Sequence, residues 1–415
     1  MTTETWMGLG LIAPLCDALN RAAFKDPTPI QEKSIAPQIE GRDILALAET
    51  GSGKTAAFLL PILQTLAELD GRARPNTARC LVLVPTRELA VQIEESARRL
   101  RGSIKASTLL ILGGMSRAGQ IRALSRGVDI LIATPGRLTD LMDAGHVRLD
   151  EARVLVLDEA DRMLDMGFAK QVQAIARTLH PRRRTALFSA TMPESVASLA
   201  AGLLREPVRV EVARSGQTAN KIAQSVELIS QQEKRARLVQ ILSQPEMERC
   251  IVFARTKRGA DRVAENLGKD GIAADAIHGN KSQNARQRAL NAFRSGRVRV
   301  LVASDIAARG IDVPGISHVV QYDMPDEPEA YVHRIGRTGR NGATGIAIAL
   351  CSAEERDKLR AVEKLTRLTL APKGSAPAAK GGKPAEKPRP KTERAPGGEG
   401  AARPRRSRPR RRVAA

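Results

Sequence analysis

Several features are scarce in this 415-residue sequence, and each scarcity excludes a class of protein. No apolar run approaches the roughly 18 residues a membrane-spanning helix needs, since even the stretch Leu59 to Leu63 is broken by Pro61. An integral membrane protein is excluded on that ground, and no membrane partner is expected. The N-terminus is polar at Thr2, Thr3, Glu4 and Thr5 and lacks a basic segment followed by an apolar one, so no secretory signal is read. Only four cysteines occur, Cys16, Cys80, Cys250 and Cys351, and their wide spacing matches no metal-ligand pattern. A reducing, cytoplasmic setting and a fold without structural metal are the expectation. Aromatic residues number nine, and none lies beyond residue 370.

Positive charge is what the chain has in excess, with 67 Lys plus Arg against 45 Asp plus Glu. Residues 371–415 hold 14 of the basic residues and three Glu, so +11 of the net +22 sits in about a tenth of the chain. The same stretch contains eight Pro, six Gly and ten Ala, with Val413 as its only larger apolar side chain. It cannot bury enough surface to offset its chain entropy, and a disordered basic tail is expected. Without an aromatic to stack on a base, such a tail attracts phosphates through charge and reads little sequence. A merely solubilising role is the alternative, though seven Arg between Arg403 and Arg412 are concentrated for that purpose.

The remaining chain has a hydrophobic content sufficient for real cores and reads as short apolar runs alternating with amphipathic segments. Ile44–Ala48, Cys80–Val84, Ile130–Ala133, Val154–Leu157 and Thr185–Phe188 look like strands covered on both faces. Between them lie helical patterns such as Lys54–Leu69 and Glu88–Leu100, which together predict a parallel sheet with crossover helices. The alternation restarts with Ile251–Ala254, Ala273–Ile277, Val298–Ala303, His318–Tyr322 and Ile346–Cys351. Expected boundaries are therefore residues 1–212 for a first α/β domain, 213–220 for a linker, 221–370 for a second domain and 371–415 for the tail. Two such domains form a cleft, where ligands are expected.

The strongest chemical signal is Ala48-Glu49-Thr50-Gly51-Ser52-Gly53-Lys54-Thr55, between the first strand and a helix. Small residues let backbone amides wrap a phosphate chain, Lys54 reaches the terminal phosphates, and the Thr55 hydroxyl can ligate magnesium. Ala48 stands where the general phosphate-loop pattern has its first Gly, and a plain Gly-rich turn is the alternative. Val154–Leu157 then delivers Asp158-Glu159-Ala160-Asp161 at a strand end, where Asp158 would hold magnesium, largely through water, and Glu159 would orient or deprotonate the attacking water. Acidic residues also suit a helix start, so the pair gains its catalytic reading only beside a phosphate loop. His333-Arg334-Ile335-Gly336-Arg337-Thr338-Gly339-Arg340 offers arginines from the second domain, near one face if the segment begins a helix. Either they complete the site on closure, or they form an exposed basic face.

These motifs occur together and in the order found in the DEAD-box RNA helicases, which the chain resembles over residues 6 to 360. Phe24-Lys25-Asp26-Pro27-Thr28-Pro29-Ile30-Gln31 resembles that family's adenine-sensing Q motif. Pro85-Thr86-Arg87-Glu88-Leu89-Ala90, Gly113-Gly114 and Thr134-Pro135-Gly136-Arg137 resemble its first-domain RNA motifs, and Ser189-Ala190-Thr191 its motif linking hydrolysis to unwinding. In the second domain Val252 to Lys257, Gln283 to Arg286, Ser304 to Asp312 and His333 to Arg340 are similar to further family motifs.

The resemblance implies two RecA-like domains, ATP and Mg2+ as cofactors, and RNA as a sequence-nonspecific partner. It implies that Gln31 reads the adenine edge while Phe24 stacks on its face, that Thr50 to Thr55 hold the phosphates, and that Asp312 approaches the ribose. Arg337 and Arg340 would be arginine fingers; Arg87, Gly114, Thr134, Arg137, Arg286 and Ser304 would line an RNA path; Ser189 and Thr191 would couple the two activities. Three positions depart from the family's usual residues: Trp6 for Phe, Glu49 for Gln and Ser304 for Thr. Trp6 is expected to pack behind the Q motif, and Glu49 to add negative charge near the phosphates. Within the family, a core followed by an Arg-rich tail resembles the bacterial RhlE-like group, which implies ribosome assembly or RNA turnover, with ribosomal precursors or RNA-decay proteins as partners. Two other classes stay open: an ATP-gated RNA clamp or annealing platform with little strand separation, and an RNA-binding protein with a vestigial ATPase. Against the second stand Lys54, Thr55, Asp158, Glu159, Arg337 and Arg340. A double-strand DNA translocase would share the phosphate loop, the acidic pair and the fingers, but the Q motif and Ser189-Ala190-Thr191 point away from it.

Overall fold

The computed structural model describes residues 2–49, 51–212, 222–305, 313, 315–339 and 343–370. Seven strands form the first sheet: Ile44–Leu47 (β1), Ala78–Leu83 (β2), Thr108–Ile111 (β3), Val128–Ala133 (β4), Val154–Leu157 (β5), Arg184–Ser189 (β6) and Val208–Glu211 (β7). Their order is β3-β4-β2-β5-β6-β1-β7, and every pairing is parallel. The second sheet contains Ile222–Leu228 (β8), Cys250–Phe253 (β9), Ala274–Ile277 (β10), Val300–Ala303 (β11), His318–Gln321 (β12) and Gly345–Cys351 (β13). It runs β10-β11-β9-β12-β13-β8, again all parallel. These are the two tandem parallel-sheet α/β domains expected, and both belong to one compact unit.

Parallel strands need helices on both faces, so their side chains must be apolar in both directions. In the first sheet the alternation divides them cleanly. Cys80, Val82, Ile130, Ile132, Val154 and Val156 enter one core, while Leu81, Leu83, Leu131, Ala133, Leu155 and Leu157 enter the other. The first of these cores also holds Trp6, which is fully buried and donates its indole N–H to the carbonyl of Lys25 at 3.2 Å. Trp6 therefore packs against the chain just before helix Pro29–Ile39, as expected.

Three strands lie outside the expected set, β3, β7 and β8, and each is a sheet edge. Edge strands meet solvent along one side, so β7 reads Val-Arg-Val-Glu and β8 Ile-Ala-Gln-Ser-Val-Glu-Leu, without a continuous apolar run. The condition under which the arginines would share one face, that the segment His333 to Arg340 begins a helix, is not met. Helix Pro328–Ile335 ends there, capped at Gly336, so Arg334 lies in its last turn and Arg337 beyond it. The expected linker 213–220 and tail 371–415 lie outside the described residues, as do the site candidates Thr50, Asp312 and Arg340. Among the described residues no helix is long and apolar enough to cross a membrane.

Candidate active site

All strands of a parallel sheet end on the same edge, and the order of the first sheet sorts the motifs along that edge. Strands β5, β6 and β1 are neighbours, so Asp158-Glu159, Ser189-Ala190-Thr191 and the glycine-rich loop emerge side by side. Strands β3, β4 and β2 present Gly114, Thr134 and Arg87 along the other half.

Helix Lys54–Ala67 starts directly after the loop, so its first N–H groups and the positive end of its dipole face the strand end. Gly53 is the N-cap in a left-handed conformation, φ 97°, and a Cβ there would meet Gln31 Nε2 at 2.5 Å. Both constraints require glycine. Gln31 is itself 1% exposed and braces the loop, with its Oε1 accepting from Thr28 N at 2.8 Å and its Nε2 donating to Gly53 O at 3.0 Å. Phe24 is half-buried, with the Arg99 guanidinium 5.7 Å from its ring centroid. Ser52 donates its hydroxyl to Glu49 O at 2.8 Å, and Gly51 and Thr55 complete the described loop. Lys54 is buried, and among the described residues its Nζ has no hydrogen-bond partner. A buried ammonium directed by the loop in this way fits a phosphate chain.

Asp158 and Glu159 share a strand end but differ in electrostatics. Burial pushes the Asp158 carboxyl up to about 6, against the opposing pull of Lys54, and the negative charge of Glu159 adds to the rise. Glu159 is buried as well, which by itself raises a carboxyl; Arg162, Lys54 and Arg337 outweigh that and hold it below its ordinary value. Arg162 pairs directly with it across one helical turn. Glu159 also has φ 55°, a left-handed conformation uncommon for a residue with a Cβ. The Asp158 carboxylate, the Thr55 hydroxyl and the Lys54 charge are the donor set that magnesium-bound triphosphate requires, so the residues present fit that group.

Asp161 and Arg162 are missing from the sequence-level site. The Asp161 carboxylate accepts from Ala190 N at 3.1 Å, Thr191 N at 2.9 Å and Thr191 Oγ1 at 2.9 Å. Ser189 Oγ accepts from Asp161 N at 3.3 Å and donates to Thr191 O at 2.7 Å. One carboxylate thus binds the loop after β6 to the helix after β5. The only signal for it in the sequence is its position in the Asp158–Asp161 string.

From the second sheet, Arg337 is 5% exposed and donates through Nε to His333 O at 3.2 Å. Its charge reaches Glu159, so the structure brings these two predicted residues into one field. Arg334 takes a different role, with a bidentate pair to Asp305 at 2.5 and 2.7 Å and a bond to Gln321 Oε1 at 2.7 Å.

A second cluster joins the two domains. Arg286 Nη2 lies 2.9 Å from Glu88 Oε2, and Gln283 Nε2 lies 3.4 Å from Glu88 Oε1. Burial and the nearby charges of Arg286 and Arg137 lower Arg87 from its ordinary value. Gly114 sits against Arg87 with φ 73°, and any Cβ there would overlap the guanidinium. Arg137 donates to Met115 O at 3.3 Å, and Thr134 occupies the N-cap position of the helix that carries it without a side-chain capping bond. Ser304 lies apart from this cluster, in a cavity of about 570 Å³ with Arg255, Thr256, Lys257, Arg258, Asn280 and Asp305.

A glycine-rich loop on one parallel sheet, a carboxylate pair on the neighbouring strand end and an arginine from a second sheet define a two-domain nucleoside triphosphatase. A DEAD/DEAH box helicase family model matches residues 28–199, and the helicase conserved C-terminal domain matches residues 233–342. CshA of Bacillus subtilis, a DEAD-box ATP-dependent RNA helicase, is 40% identical over 365 residues, which are 88% of this chain and 73% of that protein. DEAD-box ATP-dependent RNA helicase 30 of Arabidopsis thaliana is 43% identical over 85% of this chain and 60% of its own length. The structure of S. cerevisiae Dbp5 bound to RNA and ADP BeF3 superposes with a TM-score of 0.77 at 29% identity, covering 89% of this chain and 95% of that one. The chain belongs to the DEAD-box ATP-dependent RNA helicases, with two RecA-like domains in tandem.

Proposed function

We propose that this chain hydrolyses ATP with Mg2+ when RNA holds its two domains together, and that it spends each cycle on local RNA duplex separation or remodelling of an RNA–protein complex. The observation that supports this reading is that Arg162 and Lys54 of the first domain and Arg337 of the second all act on the buried Glu159 carboxyl and hold it below its ordinary value. A site to which both domains contribute charge is complete only when they are closed on each other.

In this reading Gly51 to Gly53 direct backbone amides at the phosphates, and Lys54 neutralises their charge. Bound Mg2+, held by Thr55 and Asp158, would supply further charge neutralisation on the phosphates. Glu159 accepts the proton of the attacking water, while Arg337, with Arg340, stabilises negative charge as it develops. Phe24, Gln31 and Asp312 select the adenosine. Arg87, Gly114, Thr134, Arg137, Arg286 and Ser304 contact sugar and phosphate, which carry no base information, so the RNA is bound without sequence preference. Ser189 and Thr191 transmit the state of one half of the strand edge to the other. We further place the chain in the cytoplasm with the RhlE-like group, acting on ribosomal precursors or with RNA-decay proteins; the Arg-rich segment 371–415 supports this.

Steady-state ATPase with and without single-stranded RNA tests the proposal. RNA should stimulate the parent strongly, and Lys54→Ala should lower turnover by about two orders of magnitude or more in both conditions. Equal parent rates with and without RNA would refute the gating. A Lys54→Ala variant with parent activity would remove the loop from the nucleotide site.

A further inference from the structure

Helix Lys54–Ala67 contains Pro61, and proline has no N–H to give the carbonyl four residues earlier. That carbonyl is Ala57 O, one turn into the helix that begins at the phosphate loop. It is not left alone. Gln38, 2% exposed, donates its Nε2 to Ala57 O at 2.9 Å and to Ser34 O at 2.8 Å. Gln38 belongs to helix Pro29–Ile39, the same helix that carries Gln31. The two glutamines are seven residues apart, two turns on one face, and each grips a carbonyl of the facing segment: Gly53 O for Gln31 and Ala57 O for Gln38. Arg184 of β6 reinforces the junction, donating to Gln38 O and, at 3.0 Å, to Pro61 O.

One hydrogen bond locates a helix at a point, whereas two a turn apart fix its position along its partner. We propose that Gln38 is a positioning residue for the nucleotide, holding the Gln31 helix on the phosphate-loop helix through the carbonyl that Pro61 leaves without a helical donor. The inference rests on residues 51–55 being the phosphate-binding loop. Gln38 touches no nucleotide itself; it prearranges the base-proximal helix against the loop, so that ATP binding need not order them. Unlike Gln31, it lies outside the eight residues of the Q-motif string.

Gln64 supplies an internal control. It lies on the phosphate-loop helix Lys54–Ala67 and makes two comparable bonds, accepting from Ile12 N at 3.0 Å and donating to Gly10 O at 2.8 Å, but ten residues beyond Lys54. Loss of either glutamine should destabilise the fold; only loss of Gln38 should move the nucleotide site.

The experiment measures thermal melting, ATP affinity by calorimetry, and KM and kcat under saturating RNA for the parent, Gln38→Leu, Gln64→Leu and the double variant Gln38→Leu with Pro61→Ala. The double variant returns a backbone donor to Ala57 O, which keeps the test valid if Gln38→Leu alone folds poorly. We expect Gln38→Leu to raise the Kd and KM for ATP about tenfold while kcat stays within about twofold. Gln64→Leu should melt earlier with parent affinity. The double variant should regain melting temperature and keep the raised Kd. Parent-like affinity in Gln38→Leu, or in the double variant, would reduce Gln38 to a hydrogen-bond cap and overturn the proposal. A parent that binds no ATP would refute the nucleotide site itself, a distinct result that takes the proposal down with it.

Discussion

Asp158 carries a destabilising charge in the metal-free protein. Its carboxyl is 2% exposed and burial raises it to about 6 from an ordinary 3.8. Between those values the folded state keeps a proton that the unfolded chain has released, so stability is highest below pH 4 for this group and falls as pH rises through 6. Above that the full penalty is on the order of 3 kcal/mol, taking 1.36 kcal/mol per unit. Asp158→Asn removes the titration while keeping the shape. In metal- and nucleotide-free protein the variant should melt later than the parent at pH 7.5 and converge with it at pH 4, although its ATPase should be lost. A melting difference of the same size at both pH values would show that burial of the ionised group is not its source. Glu159, one residue on, is driven the opposite way by three cations, so the neighbouring carboxyls are shifted in opposite directions. That division was not legible from the string Asp158-Glu159, because it depends on Arg162 and Arg337, which reach Glu159 only through the fold.

The strand ends work as elements because β1, β6 and β5 are adjacent, and the loop after β6 is tied to the helix that follows β5. Asp161 is the tie, and its bonds separate into two kinds: two go to the backbone amides of Ala190 and Thr191, and one to the Thr191 hydroxyl. Ser189→Ala with Thr191→Ala removes the hydroxyl bonds and spares the amides, so ATPase should remain within severalfold of the parent while duplex separation falls further. Asp161→Ala strips both kinds and should lose the two activities together, with a loss of stability of about 1 to 3 kcal/mol from the partly buried amides left unpaired. Parallel ATPase and duplex-separation assays check this, and a proportionate fall of both activities in the double variant would remove Ser189 and Thr191 from the link. The legibility of elements followed burial. Central strands such as Val154–Leu157 are apolar on both faces and stand out as runs, whereas the edges β7 and β8 mix polar residues and do not. Likewise Lys54 and Gln31 were readable as members of motifs. Gln38 was not, because its partner is a carbonyl exposed by a proline 23 residues away.

Across the whole molecule, the two domains meet through opposite charges, Arg286 with Glu88 at 2.9 Å and Arg294 with Glu95 at 3.8 Å, while Arg337 approaches Glu159 electrostatically. The first and last of these connect the two halves of the strand edge to the second domain at once, which is the arrangement expected if RNA and ATP favour the same closed state. The segment 371–415 adds a third contribution that depends on charge alone. Its 14 cations against three Glu, with no aromatic, interact with RNA phosphates by releasing condensed counterions, and each contact made adds to the slope of affinity against salt. Every residue we assign to chemistry lies at or before Arg340, so the segment should strengthen RNA capture without entering the hydrolysis step. Removing residues 371–415 should therefore raise the RNA Michaelis constant at moderate salt, by about tenfold or more, and flatten its salt dependence, while the turnover number at saturating RNA changes little. RNA-stimulated ATPase of the full chain and the truncated chain across a salt series measures all three quantities. An unchanged Michaelis constant and slope would leave the segment a solubilising role only. A collapse of turnover at saturating RNA would instead mean that it contributes to the closed state, and that part of the coupling between RNA and Glu159 runs outside the two sheets.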